Sequence, residues 1–122
     1  ELKEINFAVR TLVKSGTKKD NIALLHCISD YPTNIKDVNL KFIKTLKKIS
    51  KNIGFSDHTK GSQSAMLAVA LNAKIIEKHF TLNKKMKGPD HAMSLNINEF
   101  KTFVKNIKDS EIILGKNQKI LT

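Results

Sequence analysis

The sequence has no tryptophan, one tyrosine, one cysteine and two prolines among 122 residues. A lone cysteine, Cys27, excludes an internal disulfide framework and fits a reducing compartment. Long apolar runs are missing too. The longest, Ala65 to Leu71, is far too short to cross a bilayer, so no membrane partner is expected. Glu1-Leu2-Lys3-Glu4 has no signal-peptide character, and a cytoplasmic location is expected. There is no low-complexity tract, and 40% hydrophobic residues is ordinary for a globular chain. Such a length is at most one small domain.

Acidic residues are also scarce. Eleven Asp and Glu stand against 22 Lys and Arg, a formal net charge of +11. Yet Arg10 is the sole arginine, and there is no glycine-aromatic RNA-binding motif, basic zipper or zinc finger. The lysines lie mostly on the polar sides of helical segments: Lys41, Lys44, Lys47 and Lys48 in one, Lys101, Lys105 and Lys108 in another. This is the pattern of solvated faces, and no nucleic-acid partner is expected. A positive field drawing in a small phosphorylated or carboxylated substrate fits the same charge, which alone does not establish it.

Hydrophobic spacing gives the elements. Leu2, Ile5, Val9, Leu12 and Val13 predict an amphipathic helix over the first fifteen residues, stopped at Gly16. Asn21 to Cys27 reads as a strand buried on both faces. A loop from Ile28 to Asn34 contains Tyr31-Pro32, which favours extended backbone. A second helix follows on Leu40, Ile43, Leu46 and Ile49, entered near Asp37 or Asn39. Ile53 to Phe55 is the second strand. Gly61-Ser62 opens a third helix, with Met66, Val69, Ala70 and Ala73 as its small packing face. Lys74 to His79 is the third strand. Asn96-x-x-Glu99 starts a last helix that ends near Gly115. The order α-β-α-β-α-β-α predicts an α/β fold of parallel βα repeats with right-handed crossovers. Three strands alone would leave open apolar edges. The expected architecture is therefore the last three units of a TIM (β/α)8 barrel over residues 1–115, with residues 116–122 beginning a linker.

The chemistry gathers where strands end. Parallel neighbours would bring His58, after Ile53-Gly54-Phe55, beside His79, after Ile75-Ile76, at the sheet edge where α/β folds bind ligands. Two imidazoles so placed can share a divalent metal, with Glu77 and Asp57 close in sequence; each can equally hydrogen-bond a loop backbone. Glu77 and His79 sit two apart on a strand and face the same side, unless Glu77 forms a buried salt bridge to a lysine. Ser29 and Tyr31 follow the first strand, where they could bind a sugar or phosphate, or Tyr31 could anchor its loop. Asp90 lies in a Gly-Pro-Asp turn that could close over a ligand or simply form the turn. Cys27 has no visible activating partner and reads as a small buried hydrophobe. His26 and His91 carry no clear assignment.

Four segments occur in order: Leu24-Leu25-His26-Cys27-x-Ser29-x-Tyr31-Pro32, Gly54-Phe55-Ser56-Asp57-His58-Thr59, Ile76-Glu77-Lys78-His79-Phe80-Thr81 and Gly88-Pro89-Asp90-His91. Together they resemble the C-terminal part of the barrel of the sialic acid synthases, the N-acetylneuraminate synthase family with its legionaminate and pseudaminate relatives. The likeness runs over nearly all of Leu2 to Thr122. It implies an enzyme that joins phosphoenolpyruvate to an N-acetylated mannosamine-type sugar, giving a nine-carbon 2-keto acid and phosphate. It also implies a divalent metal, typically manganese, on His58 and His79, and a homodimer. By motif position Ser56 and Ser29 would contact phosphoenolpyruvate, Tyr31 and Asp90 the sugar, and Glu77 would transfer protons near the metal.

The family's earlier βα units supply lysines and hydroxyl residues for phosphoenolpyruvate, and an antifreeze-like domain usually follows its barrel. Neither is among these residues, so residues 1–122 alone are expected to be inactive. Two other readings stay open: a fragment of another metal-dependent barrel lyase or hydrolase, and a non-catalytic half-barrel that self-associates or acts as a basic binding module.

Overall fold

The structure, a computed structural model, describes residues 1–116. Helix α1 (Leu2–Lys14) is followed by β1 (Ala23–Cys27), α2 (Ile43–Leu46), β2 (Asn52–Asp57), α3 (Gln63–Ala70), β3 (Ile75–Lys78) and α4 (Ile97–Leu114). This is the predicted alternation. The strands form one sheet in the order β1-β2-β3, and both pairings are parallel. Of the expected linker, residues 117–122 lie outside the described residues.

Local signals explain most of the boundaries. The Asn96 side chain accepts from the backbone N–H of Asn98 and Glu99, while the Glu99 carboxylate accepts from the Asn96 N–H at 2.9 Å. This reciprocal cap is the predicted start of α4. Gly115, at φ 57, follows its last turn. Gly16 takes φ 97 just beyond α1.

Other boundaries differ from the pattern. The second helix is a 3₁₀ turn at Leu40–Phe42 and then only Ile43–Leu46. It is entered through Asn39 at φ 49 with no side-chain cap, and beyond Leu46 the chain continues in turns whose N–H groups at Lys48 and Ile49 bond three residues back. Helix α3 stops before the left-handed Asn72 (φ 68), and Ala73 lies beyond it. Its buried positions are Ser64, Ala65 and Ala68, whereas Ala70 is exposed. A one-residue error in helical phase explains that miss, because small residues fill both sides of this segment. Asn21 belongs to a 3₁₀ turn ahead of β1, whose Ala23 and Cys27 are exposed. Strand β1 is therefore not buried on both faces.

Alternate strand residues point to opposite sides of the sheet. Leu24, Ile53, Phe55 and Ile76 pack with Ile43, Leu46, Ala68 and Ala73 in the core, so α2 and α3 cover one face. The opposite side carries Leu25, Gly54 and Ile75 in one row and Cys27, Ser56 and Glu77 in the next. Among the described residues it is bare: Ile75 is 39% exposed, and Cys27 and Glu77 are exposed. Gly54 is required there by space. A Cβ on it would sit 2.5 Å from the Ile75 carbonyl oxygen and 3.0 Å from Leu25 Cγ.

After β3, residues 81 to 94 form a loop closed at its base. Leu95 N–H donates to the His79 carbonyl at 3.0 Å, and Thr81 N–H donates to the Leu95 carbonyl at 2.9 Å.

Candidate metal and substrate rim

The parallel register delivers the two histidines together. Asp57 is paired with Lys78 across β2 and β3, so His58 and His79 are the next residues at the same rim. Their ring centroids lie 5.0 Å apart, nearly perpendicular. Tyr31 completes the cluster from the loop after β1. Its ring stacks on His79 at 4.2 Å and meets His58 edge-on at 5.2 Å. The Tyr31 hydroxyl reaches Ser94 Oγ at 3.4 Å, and Thr33 N–H donates to the His58 carbonyl at 2.9 Å. The 31–33 loop is thus tied both to the rim and to the loop after β3. Asp90 Oδ2 stands 4.0 Å from His79 Nδ1 and is half exposed.

One row down, on the bare side, the Ser56 hydroxyl donates to Glu77 Oε1 at 2.5 Å. Ser56 is buried beneath that contact, while Glu77 is exposed. Glu77 therefore does not form the buried lysine salt bridge that was its alternative. Lys78 makes that kind of bond, with Asp57.

Ser29 is not brought in by any bond: it is exposed, and among the described residues its hydroxyl has no hydrogen-bond partner. Asp57 points away from the histidines to the helix-covered face and is fully buried. Cys27 is not a buried hydrophobe. It is exposed, with Sγ 3.9 Å from His58 Nδ1, because none of the described residues covers its side of the sheet. His26 is structural: it is buried, its Nε2 lies 2.6 Å from the Val38 carbonyl oxygen, and its ring stacks on Phe55. His91 Nδ1 bonds Thr81 Oγ1 at 2.8 Å inside the loop.

The donor set suits an ion with open positions. Two imidazoles binding one divalent ion at about 2.1 Å place their ring centres roughly 5 Å apart, which is the separation found. Among the described residues no group of three or more His, Cys, Asp or Glu side chains is gathered that could hold a metal ion, so the two histidines stand without a third such ligand. An ion here would keep sites for oxygen ligands. A groove of about 790 Å³, lined by Leu40, Phe42, Leu67 and Leu71, lies on the helix side and has none of these groups.

Comparison with known proteins decides the family. The NeuB family model matches residues 1–119. The chain belongs to the NeuB family. It is 46% identical over 115 residues to an N,N'-diacetyllegionaminic acid synthase of Campylobacter jejuni, covering 93% of this chain and 34% of that protein. It is 46% identical over 99 residues to a pseudaminic acid synthase of Helicobacter pylori, covering 80% of this chain and 29% of that one. Its fold is similar to that of the N-acetylneuraminic acid synthetase of Leptospira borgpetersenii, with a TM-score of 0.84 and 37% identity, over 100% of this chain and 42% of the other. The Bacillus subtilis spore coat polysaccharide biosynthesis protein spsE is equally close, with a TM-score of 0.84 and 35% identity, over 99% and 35% of the two chains. The chain spans about a third of the length of the curated relatives it matches.

Proposed function

We propose that this chain is the metal-binding part of a sialic-acid-type synthase, formed by the last three βα units of a TIM barrel whose lumen is the bare side of the sheet. The protein condenses phosphoenolpyruvate with N-acetylmannosamine or a related N-acetylated amino sugar. Carbon 3 of phosphoenolpyruvate bonds to the sugar aldehyde carbon, water adds at carbon 2, and the bond from carbon 2 to the phosphate oxygen breaks. The products are a nine-carbon 2-keto acid and phosphate. The observation that carries the reading is the pair of imidazoles at neighbouring parallel strand ends, 5.0 Å apart and open to the lumen side.

His58 and His79 would hold the ion, manganese in this reading. When bound, the ion supplies Lewis acidity to a carbonyl oxygen and a template for oxygen ligands. Tyr31 stacks on His79 and offers its hydroxyl edge to a sugar. Asp90, beside His79 on a half-exposed loop, is placed to accept sugar hydroxyls. Glu77 holds or releases a proton at the reacting oxygens, and the Ser56 hydroxyl orients its carboxylate at 2.5 Å. Ser56, and Ser29 once a ligand is present, are assigned to phosphoenolpyruvate. The intact protein is a cytoplasmic homodimer in this reading. Among the described residues no helix is long and apolar enough to cross a membrane.

The test is keto-acid and phosphate release by the intact protein with manganese, phosphoenolpyruvate and a panel of N-acetylated amino sugars. His58→Ala and His79→Ala should each abolish turnover and manganese binding seen by calorimetry. Full activity in either variant would reject the reading. Residues 1–122 expressed alone should form no product, because the lumen face lacks its other walls.

A further inference from the structure

Each histidine is preceded by one member of a buried ion pair. Lys78 Nζ donates to Asp57 Oδ2 at 3.0 Å, with the lysine side chain 3% and the aspartate 0% exposed. The other carboxylate oxygen, Oδ1, accepts from the Thr59 backbone N–H at 2.8 Å and the Thr59 hydroxyl at 2.7 Å. Lys78 Nζ also donates to the Thr59 carbonyl, and the ammonium lies 5.5 Å from the centre of the Phe103 ring of α4. The network therefore grips the residues on both sides of His58 and the residue before His79.

A pair of this kind is a poor device for stability alone. Desolvating two charges offsets much of their attraction, and apolar residues of similar size often serve the fold as well. Its location points to another use. The last ladder pair of the sheet is Asp57 with Lys78, so strand pairing stops one residue short of both histidines. Beyond that point the ladder no longer sets the spacing of the two chains. The Asp57–Thr59–Lys78 network extends the tie across the gap, from the helix-covered side where no substrate reaches.

We propose that Asp57, Lys78 and Thr59 are positioning residues that set the separation and facing of the His58 and His79 rings before any ion arrives. This rests on the reading of the two histidines as a metal pair, but its own readout needs no metal. Outer groups that orient metal-binding histidines commonly change affinity by about 10–100-fold.

The test compares the intact protein with the Asp57→Asn/Lys78→Met double variant, which removes both charges and keeps the side-chain sizes. In metal-free protein, Tyr31 stacked at 4.2 Å should displace the His79 ring-proton resonances, and the 5.0 Å ring separation should give a His58–His79 cross-peak. Both signals should be lost in the folded double variant, and its manganese Kd should rise about 10–100-fold. Thr59→Val removes one hydroxyl bond and serves if the double variant does not fold; its ring resonances should move in the same direction by less. Unchanged ring resonances in either folded variant would overturn the proposal. A parent that shows both signals but binds no manganese would reject the metal assignment and leave the positioning role supported.

Discussion

The two faces of the sheet are built for different ends. On the helix side Ile53 and Phe55 are almost fully buried against Ile43, Leu46 and Ala68, and the polar groups there, His26, Asp57 and Lys78, all have partners. On the other side the residues turn from apolar at Leu25, Gly54 and Ile75 to polar or ionisable at Cys27, Ser56 and Glu77 as the strands run toward the rim. Covered and open positions thus alternate along the same six residues of β2. The face a residue points to tells which loss to expect on changing it.

Gly54→Val should have the largest effect and would break the comparison, since this position on the open face is the one where structure is at stake. The new side chain meets a backbone carbonyl that cannot move aside, and more than about 3 kcal/mol should be lost, read by denaturant unfolding. On the covered face Phe55→Ala should cost about 3–5 kcal/mol by the same measurement. Glu77→Gln sharpens the contrast from the open side. It should lower kcat about 100–10,000-fold while stability stays within about 0.5 kcal/mol, because the carboxylate is exposed. Asn96→Ala acts only on the cap of α4 and should cost about 1 kcal/mol.

The smallest effect concerns Glu99, beside that cap. The Lys84 ammonium, and then the Asn96 N–H, hold its carboxyl below the usual carboxylate range. A lowered value in the folded state means that the stabilisation is present above the ordinary value of 4.5 and fades as pH falls through the folded value. Glu99→Gln should flatten the acid limb of stability against pH, seen as a smaller drop in Tm on going to acid. An acid limb unchanged in the variant would assign that limb to other carboxylates.

Much of the fold was legible because it rests on local patterns. Helical spacing, the Asn96–Glu99 cap and glycines past helix ends have the same meaning in sequence and in space. Parallel pairing followed from the alternation of elements, and with it the meeting of His58 and His79. What was not legible depended on facing. Nothing local says that Asp57 turns to the helices while Ser56 turns to the open side and bonds Glu77, since a shift of one residue exchanges the faces. Cys27 was misjudged for the same reason: its exposure depends on what covers β1, which the run of apolar residues does not report. Helix α2 was overestimated because Leu40 to Ile49 has helical spacing that 3₁₀ and isolated turns also satisfy: the segment starts after Asn39 as expected but is α-helical only over Ile43–Leu46.

The backbone stitch between His79, Thr81 and Leu95 has an evolutionary consequence. It closes the base of the excursion from Leu82 to Ser94, whose outer residues Leu82 and Met86 are open to solvent while Asp90 and Ser94 stand at the rim beside His79 and Tyr31. Length and composition near Met86 can therefore drift, or be altered deliberately by an inserted peptide, while the closed base keeps Asp90 and Ser94 at the rim. On the proposed reading, the tip of a recognition loop can be rewritten in this way while the paired imidazoles are kept.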